Sequence, residues 1–321
     1  MPEQYTYAVA RIHTKENSML SAQDMERLLA ASGFDEAAGI LAEKGFDTVG
    51  AENADEILSR ERDKTYKLIS ELVNDMSAFD IFFYQSDFQN LKAAVKSVVT
   101  KDKARRIFVD GGTVPKELID SAVKNREFSD LPEFLQIPAE KALKALMETG
   151  DGGLCDVIID KAYLETLHKA GDASEICMVK NFAELTVALA DIRIAVRGSR
   201  LGKGLEFFKR SLADCRTLSK DSLAIAAAKG TDELDAYLRT TNYSDVTEII
   251  KESYVAFEKW CDDRLMSEIR KEKSNNFTIA PLAAYILARE TELKMVGLIL
   301  TAKQNRLDIS VVKERLRELY V

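Results

Sequence analysis

The chain holds two histidines, His13 and His168, and neither stands in a C-x-x-C or H-E-x-x-H setting that would make it a metal ligand or a general base. Both are expected at the surface or between helices. The four cysteines, Cys155, Cys177, Cys215 and Cys261, are spaced too widely for zinc or dithiol chemistry, and are expected to be reduced core residues of a cytosolic protein. The segment Gly198-Ser199-Arg200-Leu201-Gly202-Lys203-Gly204 has the glycines and lysine of a phosphate loop, but its glycine spacing is one residue short and Gly204 replaces the required Ser or Thr. No strand precedes it, so a turn after a helix is the expected role. Glu290 is the sharper case, a carboxylate in an apolar helical stripe whose ionisation would need a buried cation such as Arg289, Arg193 or Arg197. A phase shift of one residue would move it off that stripe. The residues thus offer no catalytic set, no cofactor site and no metal site.

What must position these side chains is helix. Prolines occur only at 2, 115, 132, 138 and 281, which leaves two long stretches without the strongest helix breaker. Apolar residues step by three and four, as in Phe182, Leu185, Leu189, Ile192 and Val196, which makes one helical stripe. Ser21 before Asp24 and Asp130 before Glu133 have the spacing of N-caps, and Pro281 suits a first helical position. Glycines at 33–50, 111–112, 150–153 and 198–204 mark places where the chain can reverse. The mixed-sign clusters at 60–64 and 270–273 read as solvated helix faces. The aromatic run Phe79–Tyr84 reads as core packing between modules, with a contact patch for a partner as the alternative.

Internal repetition is more informative than any single motif. Asp63-Lys64-Thr65-Tyr66 recurs 97 residues on as Asp160-Lys161-Ala162-Tyr163 and, loosely, after a further 98 as Glu258-Lys259-Trp260-Cys261. Phe88, Leu91, Val95 and Val98 map at an offset of 94 onto Phe182, Leu185, Leu189 and Ile192, and an offset of 101 carries these to Ala283, Ile286, Glu290 and Leu293. Nearly equal offsets from separate motifs predict three modules of roughly 100 residues, at 1–112, 113–212 and 213–321, forming one continuous globular unit. Helices with one apolar stripe gain most by packing around a shared centre, so the expected fold is all-α, three similar helical bundles in a pseudo-threefold array. An irregular bundle whose recurrences are accidents of composition is the alternative.

Composition narrows the function. A net charge of −8 and a pI near 5.2 argue against nucleic acid, whose phosphates are held by accumulated Lys and Arg. An acidic surface favours a basic protein partner or simple solubility. Met1, Pro2 and Glu3 do not begin a secretory signal, so a cytoplasmic location is expected. The longest uncharged run, residues 274–288, falls short of the ~20 apolar residues that a membrane-spanning helix needs. Any membrane contact is therefore expected to pass through a membrane-protein partner.

The opening Tyr5-Thr6-Tyr7-Ala8-Val9-Ala10-Arg11-Ile12, with Ser18-Met19-Leu20 and Met25-Glu26-Arg27-Leu28-Leu29, resembles the start of the C-subunit family of V/A-type rotary ATPases, called d in eukaryotes. Residues 281–294, PLAAYILARETELK, are similar to the family's closing proline-to-helix segment with its R/K-E-x-E-[IL]-K core, and Asp87-Phe88-Gln89-Asn90-Leu91-Lys92 is similar to its D-x-x-N-L-K element. Lys303 and the terminal segment 315–320 also resemble the family. Met295 and Val296 stand where it usually has asparagine and arginine, which marks a divergent member.

The resemblance implies a non-catalytic funnel of three helical bundles, peripheral on the cytoplasmic side of the membrane and present as one copy per rotor. It implies as partners the D and F subunits of the central stalk and the membrane proteolipid ring of c/K subunits, with membrane contact only through that ring. It implies torque transmission for ATP-coupled proton or sodium transport, with no bond made or broken here. An acidic funnel would hold a basic stalk end through exposed ion pairs of ~0–1 kcal/mol each, which set register more than affinity. A soluble all-helical interaction scaffold unrelated to rotary ATPases is the reading from another class.

Overall fold

The computed structural model describes residues 3–99, 108–275 and 278–321, and every regular element among the described residues is helical. The α-helices in chain order are α1 (Glu3–Glu16), α2 (Ala22–Ala30), α3 (Phe34–Glu43), α4 (Ala54–Leu72), α5 (Tyr84–Val99), α6 (Lys116–Asn125), α7 (Glu133–Thr149) and α8 (Gly152–Ala173). They continue as α9 (Cys177–Arg200), α10 (Leu205–Ser211), α11 (Lys220–Lys229), α12 (Thr231–Leu238), α13 (Val246–Glu252), α14 (Tyr254–Arg270), α15 (Ala280–Gln304) and α16 (Ile309–Lys313). None is long and apolar enough to cross a membrane among the described residues. The chain divides into two compact units, one of Met1–Ser77, Ile176–Phe182 and Lys251–Val321, the other of Ala78–Glu175 and Ala183–Ile250.

Helix starts follow the local chemistry. Ser21 and Asp24 form a reciprocal capping box at α2, as their spacing predicts, while Asn53 accepts from the Glu56 amide at α4 and Ser253 from the Ala256 amide at α14. Pro281 lies in the first turn of α15, where its missing N–H costs nothing. The expected cap at Asp130 does not form. Pro132 takes the N-cap place of α7 with φ −57°, and no side chain caps that end. Pro138 lies inside α7, so this helix continues through a residue that cannot donate to its ladder.

In the first unit α15 is the central element, packed against α1, α3, α4, α14 and α16. Leu20, Leu28, Leu41, Ile57, Leu293, Val296, Ile299 and Leu300 are buried in one cluster, each contributing ~1.5–3 kcal/mol on the transfer scale. Buried residues occur on every side of α15 only over its first turns, Ala280–Ile286; beyond them Leu287, Glu290, Thr291, Lys294, Leu298 and Thr301 form one face that is not buried. Lys303, near its end, donates to the Leu29 carbonyl at 2.6 Å and to that of Ala31, tying the last turn of α2 to it.

In the second unit α5 packs on α6, α7 and α8, with α7 running along α8, and a second group joins α10, α11 and α12, with α10 against α8. Phe88, Leu91, Val95, Ile119, Leu135, Leu143 and Ile159 share a buried cluster. Aromatic rings add directional contacts, Tyr84 with Phe134 at 4.8 Å and Phe88 with Tyr163 at 5.7 Å between centroids. Of the aromatic run, Phe79 and Ile81 are fully buried and Phe82, Phe83 and Tyr84 partly so, as core packing requires. All four cysteines are free. Cys155 and Cys261 lie in the interior, but Cys215 is half-buried and Cys177, the first residue of α9, is exposed, because an opening turn has no preceding turn to cover it.

Candidate functional site

The charged residues of α15 carry the most specific chemistry in the first unit. Glu290 does not occupy the apolar seam. It is partly exposed and pairs with Arg62 of α4 at 3.2 Å, rather than with Arg289, Arg193 or Arg197. The predicted stripe holds at Ala283, Ile286 and Leu293, all buried, but Glu290 lies at its edge. Its neighbours Arg289 and Glu292 face inward instead, Glu292 with only 1% of its surface exposed.

Arg289 donates to Glu61 of α4 at 2.9 Å and to Glu292, its neighbour one turn on. Its guanidinium also lies 5.0 Å from the Phe46 ring centre, a cation–π contact in a desolvated setting. Glu61 accepts further from the Asp47 amide at 2.8 Å and from Lys64 at 2.5 Å. Glu292 accepts in addition from the Leu20 amide, just ahead of α2. Burial pushes the Glu292 carboxyl above its usual range, against the pull of Arg289 and the Leu20 amide. Burial also pushes the nearby Tyr285 phenol up to about 12, so it stays neutral. The arrangement is a structural clamp between α4, α15 and the entry to α2.

Carboxylates on α5 and α9 do the same work in the second unit. Asp87, on α5, accepts from the Thr113 hydroxyl at 2.6 Å and the Val114 amide at 3.0 Å, in the loop ahead of α6. Asn90, one turn on, pairs with both backbone groups of Val109, at 2.8 and 3.0 Å. Glu184, on α9, accepts from the Arg216 amide at 2.9 Å and from the Thr217 amide and hydroxyl at 2.7 Å each, in the loop ahead of α11. Burial raises the Glu184 carboxyl, but these donors and the Arg216 charge outweigh it and leave it below its usual range. Asp191, two turns further, accepts from the Ala213 amide at 3.1 Å, and burial pushes its carboxyl up to about 7. Thus α5, α9 and α15 each carry a buried acid that holds the loop preceding a following or partner helix, through amides which would otherwise go unpaired.

The elements of the D-x-x-N-L-K segment thereby gain roles: Asp87 and Asn90 pin loops, Leu91 enters the core, and Lys92 pairs with Asp160 of α8. That aspartate opens Asp160-Lys161-Ala162-Tyr163, so in this copy of the repeat the acid makes a helix-to-helix ion pair.

Of the histidines, His13 bonds Glu16 at 2.7 Å, and His168 lies between Asp172 and Glu184 at 3.6 and 3.7 Å, a partly buried interhelical position. Arg216 already stands between the same two carboxylates. Among the described residues no group of three His, Cys, Asp or Glu side chains is arranged to hold a metal ion. The glycine-rich segment runs as the end of α9 through Gly198, then a turn closed by the Lys203 amide on the Gly198 carbonyl at 2.9 Å. That geometry is a helix stop with no preceding strand, which a phosphate loop requires.

Sequence comparison gives these features a context. Residues 8–315 match the family described as ATP synthase (C/AC39) subunit, a span that includes α5, α9 and α15 whole. The chain is also similar to the C subunit of the V-type sodium ATPase of Enterococcus hirae, 23% identical over 96% of this chain and 97% of that protein.

Proposed function

This chain belongs to the ATP synthase (C/AC39) subunit family, whose members are non-catalytic parts of V-type ATPases, and from that premise we propose that it is a socket in the central rotor. In this reading it seats on the cytoplasmic face of the proteolipid ring, receives the foot of the D and F stalk subunits, and passes torque between them as one copy per rotor. The observation that carries it is the match over nearly the whole chain, since a socket needs every module and not an isolated motif.

The latches supply the mechanical logic. Torque is shear, and close-packed helices resist it because interiors are weakly compressible. Loops are the weak points of such a body, and here Asp87, Glu184 and Glu292 fasten loops to α5, α9 and α15 through buried hydrogen bonds. One latch of this kind on each of the three helices supports the reading of three similar modules arranged as a funnel. The net charge of −8 supports a basic stalk end as the guest, held by exposed ion pairs that set register.

The test is affinity capture of the tagged chain from detergent extracts of its source. Stalk subunits and the proteolipid ring should co-purify, and raising salt should loosen the stalk in particular. Capture of neither would remove the rotor reading and leave a helical scaffold, while salt-insensitive retention of the stalk would remove only the electrostatic part.

A further inference from the structure

The corner joining α9 to α10 departs from the acidic character of the rest of the chain. Residues 197–210 hold Arg197, Arg200, Lys203, Lys209 and Arg210 against the single carboxylate Glu206, in a chain whose net charge is −8. At the tip of this corner Leu201 leaves 66% of its surface exposed. Covering that leucine would gain its transfer free energy, on the order of 1.5–3 kcal/mol for full burial.

The cations are not needed to finish the helix. The last carbonyls of α9 are already taken by backbone amides: Leu201 on Arg197 at 3.1 Å, Gly202 on Ser199 at 3.0 Å and Lys203 on Gly198 at 2.9 Å. Gly202 takes φ +64° to make that ending, a conformation open to glycine at no steric cost. Arg200 is spent on the Ile250 carbonyl at 2.6 Å, and Lys209 stands 3.7 Å from Glu206. Lys203 lies over the Phe207 ring at 5.6 Å, and the exposed Arg210 has no carboxylate beside it among the described residues. The corner is braced from behind by Phe207 and Phe208, whose rings lie against the bare backbone of Gly198.

The same helix ending recurs in the other unit. There Arg306 takes φ +55°, the Leu307 amide bonds the Ala302 carbonyl at 2.9 Å, and Leu307 leaves 57% of its surface exposed beside Lys303 and Arg306. Both α9 and α15 thus close in a left-handed turn with an exposed leucine next to it.

We propose that the α9–α10 corner is a contact site for an anionic phospholipid surface, Leu201 entering the interface while Lys203 and Arg210 meet the headgroup phosphates. Charge selects that occupant: a segment with five cations, one carboxylate and an exposed leucine fits a layer that offers negative charge outside and hydrocarbon beneath. The inference rests on the reading above only in placing this chain beside a membrane, and it adds a direct lipid contact to the one made through the ring.

The test is sedimentation of the purified full-length chain with phosphatidylcholine vesicles, with and without phosphatidylserine. Wild type should sediment with the anionic vesicles only. Removing two cations in Lys203→Gln/Arg210→Gln should weaken binding roughly 25-fold, about fivefold for each basic residue at a charged bilayer. Leu201→Ser should weaken it further without changing the melting temperature. Equal sedimentation with neutral vesicles, no sedimentation of wild type, or unchanged binding of the double variant would each overturn the proposal. So would a double variant that binds vesicles normally but no longer co-purifies with the proteolipid ring, because the corner would then face protein. Wild type that ignores vesicles yet still captures stalk and ring sinks this inference and leaves the socket reading standing.

Discussion

Removing Arg289 tests the clamp in the first unit most directly. The residue is buried, bonds Glu61 and Glu292, and stacks on Phe46. In Arg289→Met the volume and the contact with the ring largely survive, but the charge does not. Glu61 keeps the Asp47 amide and Lys64, so it remains compensated. Glu292 keeps only the Leu20 amide, and orphaning one member of a buried pair costs about 3–5 kcal/mol. We expect a loss near ~4 kcal/mol, a large share of the stability of an ordinary domain. The lone tryptophan, Trp260, lies on α14 in the same unit, so its fluorescence in a urea titration reports that unit's unfolding.

The pH dependence sharpens this test. Because Glu292 is held above its usual range in the fold, its contribution to stability is complete below the unfolded value and is lost as pH rises through the folded one. Without Arg289 that window moves upward, so the deficit should be greatest at high pH and should narrow as pH falls through it. Adding Glu292→Gln, which keeps an acceptor for the Leu20 amide, should return roughly half of the loss or more. A deficit below ~1 kcal/mol, or one independent of pH and not relieved by Glu292→Gln, would refute the clamp.

Other expectations follow from the second unit. Asp191→Asn should gain stability relative to wild type as pH rises from about 4 to 7, since over that range the unfolded carboxyl releases its proton while the folded one, held up to about 7, keeps it; paired urea titrations at both ends measure this. Gly198→Ala should lose about 1–3 kcal/mol, seen as a lowered melting temperature, because a Cβ there would stand 2.5 Å from a Phe208 ring carbon. Asp87→Ala should cost about 1–3 kcal/mol by leaving the Val114 amide unpaired, and hydrogen exchange at that amide should quicken.

The helical class was legible because apolar spacing along segments such as Phe182–Val196 leaves no room for strands, and the Ser21–Asp24 box and Pro281 marked true helix starts. The inward-facing charges were not. A stripe tells which residues are buried only when its phase is fixed by a wet side. The first turns of α15, where Ala283 and Ile286 set the predicted phase, are buried all round, so the phase taken from them put Glu290 inside although it shares the wet face of Thr291, Lys294 and Thr301. The latches were hidden for a different reason. Asp87 and Glu184 bond loops some 26 to 33 positions away, and Glu292 bonds Leu20 across 272, separations at which local spacing says nothing. Asp130 shows a third limit: a proline in the N-cap place makes an upstream aspartate irrelevant however well it is spaced.

The clamp between α15 and the first helices also sets an order on biosynthesis. Helices α2 to α4 leave the ribosome well before the partner that buries Leu28, Leu41 and Ile57 and neutralises Glu61. About 200 residues separate Leu72 from Ala280, which at 5–20 residues per second is a delay of roughly 10–40 s. Throughout that interval the nascent segment 22–72 shows an apolar face without its cover. Its need for chaperones should therefore be concentrated before release of the completed chain, and a ribosome stalled upstream of α15 should hold an N-terminal segment that no amount of waiting will fold.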